Sequence, residues 1–290
     1  MTIPVTNLNA SFQQPTFSLR CKGKLLDLTV PVIMGILNVT PDSFYDGGKF
    51  TEESIMKAHV EQMLSMGAKI IDIGAASSRP GAEEINVTEE LKRLIPAIQF
   101  ISQEFPNAIL SVDTFRSEVA KQAILNGAHI INDISGGDFD DMMFETVAAL
   151  KVPYILMHIQ GNPQTMQKEP IYGNVVIDVF KSLQKRIIKL RKAGVIDIII
   201  DPGFGFGKSV AQNFQLLNNL EHFLQLDCPI MVGFSRKSMI NKLLEIKAID
   251  ALNGTTILNT IALQKRVSIL RVHDVKEAIE AIRLVQALKL

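Results

Sequence analysis

Eight short apolar runs recur along this chain, at 33–37, 70–73, 109–112, 130–131, 154–157, 198–200, 230–232 and 268–272. Segments with helical spacing lie between them, among them 52–66, 89–102, 117–125 and 178–192, and Gly67, Gly127 and Gly194 follow helical stretches where a left-handed cap suits glycine. Strand and helix in alternation imply parallel strands with helical crossovers, because each crossover must return the chain to the same end of the sheet. The runs are apolar throughout instead of alternating, the pattern of a sheet covered on both faces. Eight such units in about 250 residues is the arithmetic of a (β/α)8 barrel. A doubly wound open sheet fits less well, since the first strand is not followed by a dinucleotide-type glycine motif. Ahead of the barrel, 16–28 reads as a small hairpin turning at Lys22-Gly23-Lys24. The expected layout is an N-terminal extension and hairpin over 1–30, then one α/β domain over 31–290, a TIM barrel.

Composition narrows the function classes. Lys plus Arg and Asp plus Glu each total 30, so the formal net charge is +0. There is no electrostatic case for nucleic acid or an anionic membrane as partner, and any anion site must be built locally. Cys21 and Cys228 form neither a metal-spaced pair nor a disulfide framework. The first 14 residues lack a basic segment followed by an apolar one, and no apolar run approaches the roughly 18 residues that span a bilayer. A cytoplasmic protein is expected.

Barrel active sites sit at the C-terminal ends of the strands, and here every strand ends in polar residues. They are Asn38; Asp72 and the 74–81 loop; Asp113-Thr114; Asn132-Asp133; His158; Asp201 with Gly203, Gly205, Gly207 and Lys208; Ser235-Arg236-Lys237-Ser238; and Arg271, His273 and Asp274. One Asp after a strand is often only a helix cap, the reading open for Thr114, Asp133 and Asp274. All eight together converge on one cavity. The loops after strands seven and eight are where this fold binds phosphate, which gives Lys237, Arg271 and His273 an anion-binding role and leaves Arg236 as a solvated charge. Asn38 would face the same anion and could hold Mg²⁺ beside it. Asp113, Asn132 and Asp201 sit in a mouth otherwise lined by Ile134, Met157 and Phe206, and suit a planar heterocycle rich in N–H donors. Two carboxylates also fit a glycosidase, although the chain has no Trp to stack a sugar. Phe206-Gly207-Lys208-Ser209 mimics the tail of a P-loop, but Pro202 occupies the position of its first glycine. The three glycines of 203–207 are expected to let the loop pass close to a flat ligand. His158 is open between ligand, base and structural histidine. The first loop, about 40–48, is longer than an ordinary βα connection and reads as a flap.

In order along the chain, Asn38-Val39-Thr40-Pro41-Asp42-Ser43-Phe44, Ser78-Arg79-Pro80-Gly81, Ser111-Val112-Asp113-Thr114, Ile131-Asn132-Asp133, Met157-His158, Asp201-Pro202-Gly203-Phe204-Gly205-Phe206-Gly207-Lys208, Ser235-Arg236-Lys237-Ser238 and Arg271-Val272-His273-Asp274 closely resemble the dihydropteroate synthase family. The resemblance implies an enzyme, a transferase that condenses 6-hydroxymethyl-7,8-dihydropterin diphosphate with p-aminobenzoate by a dissociative substitution, releasing pyrophosphate. It implies a pterin site at Asp113, Asn132, Ile134, Met157, Asp201, Phe206 and Lys237. The diphosphate site would be Asn38, Ser78, Arg79, Arg271 and His273, with Mg²⁺ at Asn38. Phe44 and Ser238 would hold p-aminobenzoate, and Asp46 would join Lys237, Arg271 and His273 as catalytic groups. A homodimer is implied by the resemblance alone. The second loop departs from the family's usual Gly-Gly-Glu-Ser-Thr-Arg-Pro-Gly, reading Gly74-Ala75-Ala76-Ser77-Ser78-Arg79-Pro80-Gly81. Rival readings are a pterin-dependent methyltransferase, which has no need of Lys237 or the Arg271/His273 pair, and a catalytically silent pterin-binding paralogue.

Overall fold

A computed structural model of the chain describes residues 16–39, 49–75, 85–161 and 171–288. Strands β1 (Ser18–Cys21) and β2 (Lys24–Asp27) form the expected hairpin, with Lys22 and Gly23 both at positive φ in its turn. Eight parallel strands follow among the described residues: β3 (Val32–Asn38), β4 (Ile70–Gly74), β5 (Ile109–Asp113), β6 (Ile130–Asp133), β7 (Tyr154–Met157), β8 (Ile198–Asp201), β9 (Met231–Val232) and β10 (Ile269–Val272). Their order is β8-β7-β6-β5-β4-β3-β10-β9, and a parallel bridge from Ile200 to Ile230 closes the ring. The (β/α)8 expectation is met.

Helices α1 (Lys49–Ser65), α2 (Val87–Glu104), α3 (Ser117–Leu125), α4 (Met143–Leu150), α5 (Val175–Ala193), α6 (Val210–Asn218), α7 (Ser238–Leu244), α8 (Leu252–Gln264) and α9 (Val275–Ala287) surround it. In α5 the residues Val175, Val179, Leu183, Ile187 and Leu190 form one buried stripe. Asn174 caps its first turn through Val176 N and Ile177 N, and Gly194 ends it at φ 98°. The helices that the sequence reading leaves unmarked are α4, α6, α7, α8 and α9; in α8 the apolar stripe is interrupted by buried Gly254, Thr255 and Asn259.

Alternation along each strand sorts its side chains into two sets. Ile33, Leu37, Ile71, Ile73, Leu110, Val112, Ile131, Leu156, Ile200 and Leu270 pack outward in one cluster with the helices. Met34, Ile70, Ile109, Ile130, Ile155, Ile199, Met231 and Ile269 fill the barrel's interior floor. The hairpin's Leu19, Cys21, Leu26 and Leu28 belong to that same floor cluster, so β1 and β2 plug the N-terminal end of the barrel. Lys22 Nζ donates to Ile124 O at 2.7 Å and Lys24 Nζ to Pro106 O at 2.6 Å, tying the plug to the ends of the surrounding elements. Two residues further along, most of the inward rows turn polar, with Asp72, Ser111, Asn132, Asp201 and Arg271, while Met157 stays apolar. An apolar floor under a polar rung is what raises the site to the open end.

Candidate active site

The centre of the polar rung is an ion-pair cluster. Arg271 reaches from β10 past β3 and donates from Nε to Asp72 Oδ2 at 2.7 Å and from Nη2 to Asp113 Oδ2 at 2.8 Å. Asn132 Nδ2 donates to the same Asp72 oxygen at 3.0 Å. Asp72 is fully buried, while the side chain of Asp113 keeps 16% of its exposure and faces the mouth. Burial pushes Asp113 up to about 7; Arg271 pulls it down, and the carboxylates of Asp72, Glu90 and Asp133 add to the rise. Asp72, which the reading of strand ends passes over as a binding group, is thus a hub of the site. The available signal was its position two residues beyond Ile70 on an inward row, where a carboxylate demands a partner.

On the opposite wall Asp201 ends β8, and its Oδ1 accepts from Gly203 N at 2.8 Å. Burial raises Asp201 above the ordinary carboxylate value, opposed by Lys237, the Gly203 N–H, Lys208 and Arg271. Lys237 donates to Phe204 O, and its ammonium lies 4.7 Å from the centre of the Phe206 ring. Burial brings Lys237 down to about 8 against the pull of Asp201. Ile134, Met157 and Ile159 form a small apolar cluster with Phe115 and Phe206 packed on it. A flat ring between this cluster and the two acids would meet apolar atoms on its face and acceptors on its edge.

The 203–207 loop owes its glycines to its neighbours in the fold. At Gly203 (φ 73°) an added Cβ would stand 1.9 Å from His158 O, and at Gly207 (φ 57°) 2.5 Å from Gln160 O. The loop is pressed against the backbone after β7, which corrects the expectation that all three glycines make room for a ligand; Gly205 faces the Lys237 side chain. Lys208 seals the contact. Its ammonium is buried and lies 2.8 Å from Gly203 O, 2.9 Å from Phe206 O and 3.1 Å from His158 Nδ1. His158 Nδ1 therefore accepts, and burial together with Lys208 brings this histidine down to about 2. His158 is structural, not a base.

At the rim, Asn38 is exposed at the end of β3, in register with Gly74. His273 is exposed, with Nδ1 3.0 Å from Ser235 Oγ. Ser238 is exposed as the first residue of α7, a helix of only 7 residues. Arg236 is not the solvated charge expected of it: Nη2 donates to Asp274 Oδ1 at 2.7 Å, joining the loops after β9 and β10. Asp274 accordingly serves that pair and makes no side-chain cap on α9. Thr114 donates to Glu90 at 2.7 Å, and Asp133 accepts from Ser135, Gly137 and Tyr154, so both are structural. Phe44, Asp46, Ser78 and Arg79 lie outside the described residues, as does the 40–48 loop.

This arrangement can be set beside known proteins. Residues 34–273 match the family described as pterin binding enzyme. The dihydropteroate synthase of Escherichia coli (strain K12) is 45% identical over 270 residues, spanning 92% of this chain and 94% of that protein. The chain belongs to the pterin-binding enzyme family, among its dihydropteroate synthases. Solved structures agree in fold. The Yersinia pestis dihydropteroate synthase with a sulfonamide drug complex superposes with a TM-score of 0.88 at 41% identity, over 94% of this chain and 99% of that one. The Xanthomonas albilineans enzyme in complex with 7,8-dihydropteroate gives 0.84 at 38% identity, again over 94% and 99%. Within this fold Asp113, Asn132 and Arg271 form one bonded cluster through Asp72, with Asp201, Lys237 and Phe206 on the facing wall.

Proposed function

We infer that this chain carries out the dihydropteroate synthase reaction of folate biosynthesis, joining 6-hydroxymethyl-7,8-dihydropterin diphosphate to p-aminobenzoate with release of pyrophosphate. The observation that carries the reading is the switch from apolar floor to polar rung inside the barrel. It leaves Asp113 and Asp201 as edge acceptors beside an apolar cluster, with two cationic groups, Lys237 and Arg271, in the same mouth. The acids would accept from the amine and ring N–H groups of the pterin, and Lys237 would donate to its oxygen side. Arg271, His273 and Asn38 would meet the diphosphate, joined by Ser78 and Arg79, while Phe44 and Ser238 would take p-aminobenzoate. In a dissociative course the C–O bond to the diphosphate breaks first. The cationic donors stabilise the charge leaving with it, Asp46 offsets the pterin cation, and the neutral aryl amine adds and then loses a proton to solvent.

Among the described residues no three His, Cys, Asp or Glu side chains stand together as a metal site. Asn38 contributes one neutral amide, so the donor set fits Mg²⁺ carried mostly by the substrate's own phosphate oxygens. Such an ion, when bound, would offset charge on the departing diphosphate. No helix among the described residues is long and apolar enough to cross a membrane, which is compatible with a cytoplasmic location. A homodimer is supported by exposed Leu243, Leu244, Ile249 and Ile257 on α7, α8 and the turn between them; a monomer mass in sedimentation equilibrium would remove it.

Purified protein with Mg²⁺, dihydropterin diphosphate and p-aminobenzoate is expected to release pyrophosphate and form dihydropteroate, and no release would refute the reading. The acids also predict a pH profile. Asp113 must be ionised to accept from ring N–H groups, so affinity for a bare pterin should rise as pH passes through about 7. Lys237 donates most strongly as an ammonium, so affinity should decline above about 8. Calorimetry across pH, with Asp113→Asn lacking the rising limb, checks both.

A further inference from the structure

Asp72 has no assigned part in this chemistry, and its bonding is uneven. Its Oδ2 serves both Arg271 Nε and Asn132 Nδ2. Its Oδ1 is buried without a partner, as is Oγ of Ser111, its register neighbour on β5. A purely structural carboxylate is normally saturated, since unused buried acceptors are costly. Asp133, with both oxygens occupied, is the local example. What Asp72 does hold is Arg271, by the one nitrogen that fixes the plane of the guanidinium at its root.

We propose that Asp72 is a positioning residue that anchors Arg271 through Nε, keeping its terminal N–H groups aimed at the leaving diphosphate once the pterin ring has drawn Asp113 away. The proposal rests on the function inferred above. In the free protein Arg271 is shared between two carboxylates on adjacent strands. When ring N–H groups occupy Asp113, the Nη2 contact is the one in competition, because Asp113 keeps exposure to the mouth while Asp72 has none. Asp72 then remains the sole fixed partner of the guanidinium. Its negative charge opposes an incoming anion, so it does not assist diphosphate binding; its contribution is orientation, which acts on the bond-breaking step. Binding and turnover should respond with opposite signs when the charge is removed.

Asp72→Asn tests this with little change of shape. The amide replaces the charge-assisted bond to Arg271 Nε with a weaker neutral one, still accepts from Asn132 and turns its NH2 toward Ser111. Asp72→Asn, Arg271→Lys and the double variant would be compared by pyrophosphate release, by calorimetric binding of magnesium pyrophosphate and by thermal denaturation. In Asp72→Asn kcat should fall about 100-fold, with KM for the diphosphate substrate unchanged or lower and pyrophosphate bound at least as tightly as by wild type. The double variant should be within about threefold of Arg271→Lys, since the two substitutions act through one group. A kcat close to wild type, a parallel loss of kcat and KM, additive losses or an unfolded Asp72→Asn protein would each overturn the proposal. If wild type released no pyrophosphate, the functional reading would fail instead. Weaker pyrophosphate binding by Asp72→Asn would still reject the role given to Asp72, and equal or tighter binding would support it.

Discussion

Truncating Arg271 to Ala is expected to lower kcat/KM for pyrophosphate release on the order of 1000-fold, the upper range for loss of a charged donor at a developing anion. The structure adds a second effect that separates this variant from a simple loss of anion binding. Arg271 neutralises Asp72 and Asp113 together, and removing one member of a buried ion pair costs about 3–5 kcal/mol because the charge left behind is unpaired. Asp113 responds by taking up a proton, because loss of Arg271 removes the charge that holds its value down, and its folded-state value moves further above that of the unfolded chain. A raised carboxyl value means that stability is present at low pH and lost as pH rises through that value. The stability deficit of Arg271→Ala relative to wild type should therefore be smallest near pH 5 and grow toward pH 8 in urea denaturation. Ligands divide in the same way. Bare pterin binding is depressed at pH 7, where Asp113 is protonated, and the depression eases as pH rises, whereas diphosphate binding does not recover. Equal losses for the two ligands at every pH would remove Arg271 from the anion site.

The barrel was legible because its signal is repeated: eight apolar runs with polar ends leave few ways to fold. For the same reason the inward acids Asp113 and Asp201, and Asn132, could be read straight from the strand ends. Pairings between distant strands were not legible. Arg271 and Asp72 are 199 residues apart, and their contact depends on β10 and β4 flanking β3, which no local pattern encodes. Arg236 looked solvated because its partner Asp274 comes 38 residues later. Lys208 resembled a phosphate-binding lysine because the residues that satisfy it are carbonyls, and backbone acceptors leave no trace in side-chain identity. The glycines of 203–207 announced a close approach without saying to what. Only the fold reveals that two of them face the chain after β7.

Those glycines carry the second large effect. Gly203→Ala is expected to disable the site and destabilise the fold by on the order of 4 kcal/mol, the exceptional end of single substitutions. The residue is held at φ 73°, where a Cβ alone costs about 1–2 kcal/mol. The new methyl would also stand 1.9 Å from His158 O, a backbone atom that cannot swing aside. Relief requires moving either the end of β7 or the loop, and both lie against the Lys208 ammonium, whose partners Gly203 O and His158 Nδ1 would separate. A buried cation that loses its acceptors is itself destabilising. The displacement would reach Asp201, whose carboxylate is fixed by Gly203 N, so pterin affinity should collapse in whatever fraction folds. Gly205→Ala separates local strain from site geometry. Its φ of 81° carries a similar conformational cost, but its nearest neighbour is Lys237 Cδ at 3.0 Å, part of a flexible side chain. Gly205→Ala should therefore stay folded with a modest loss of stability and lose pterin affinity through a displaced Lys237. Guanidinium denaturation and pterin calorimetry on the two variants would rank them, and a Gly203→Ala protein as stable as Gly205→Ala would contradict the view that the loop is clamped to β7.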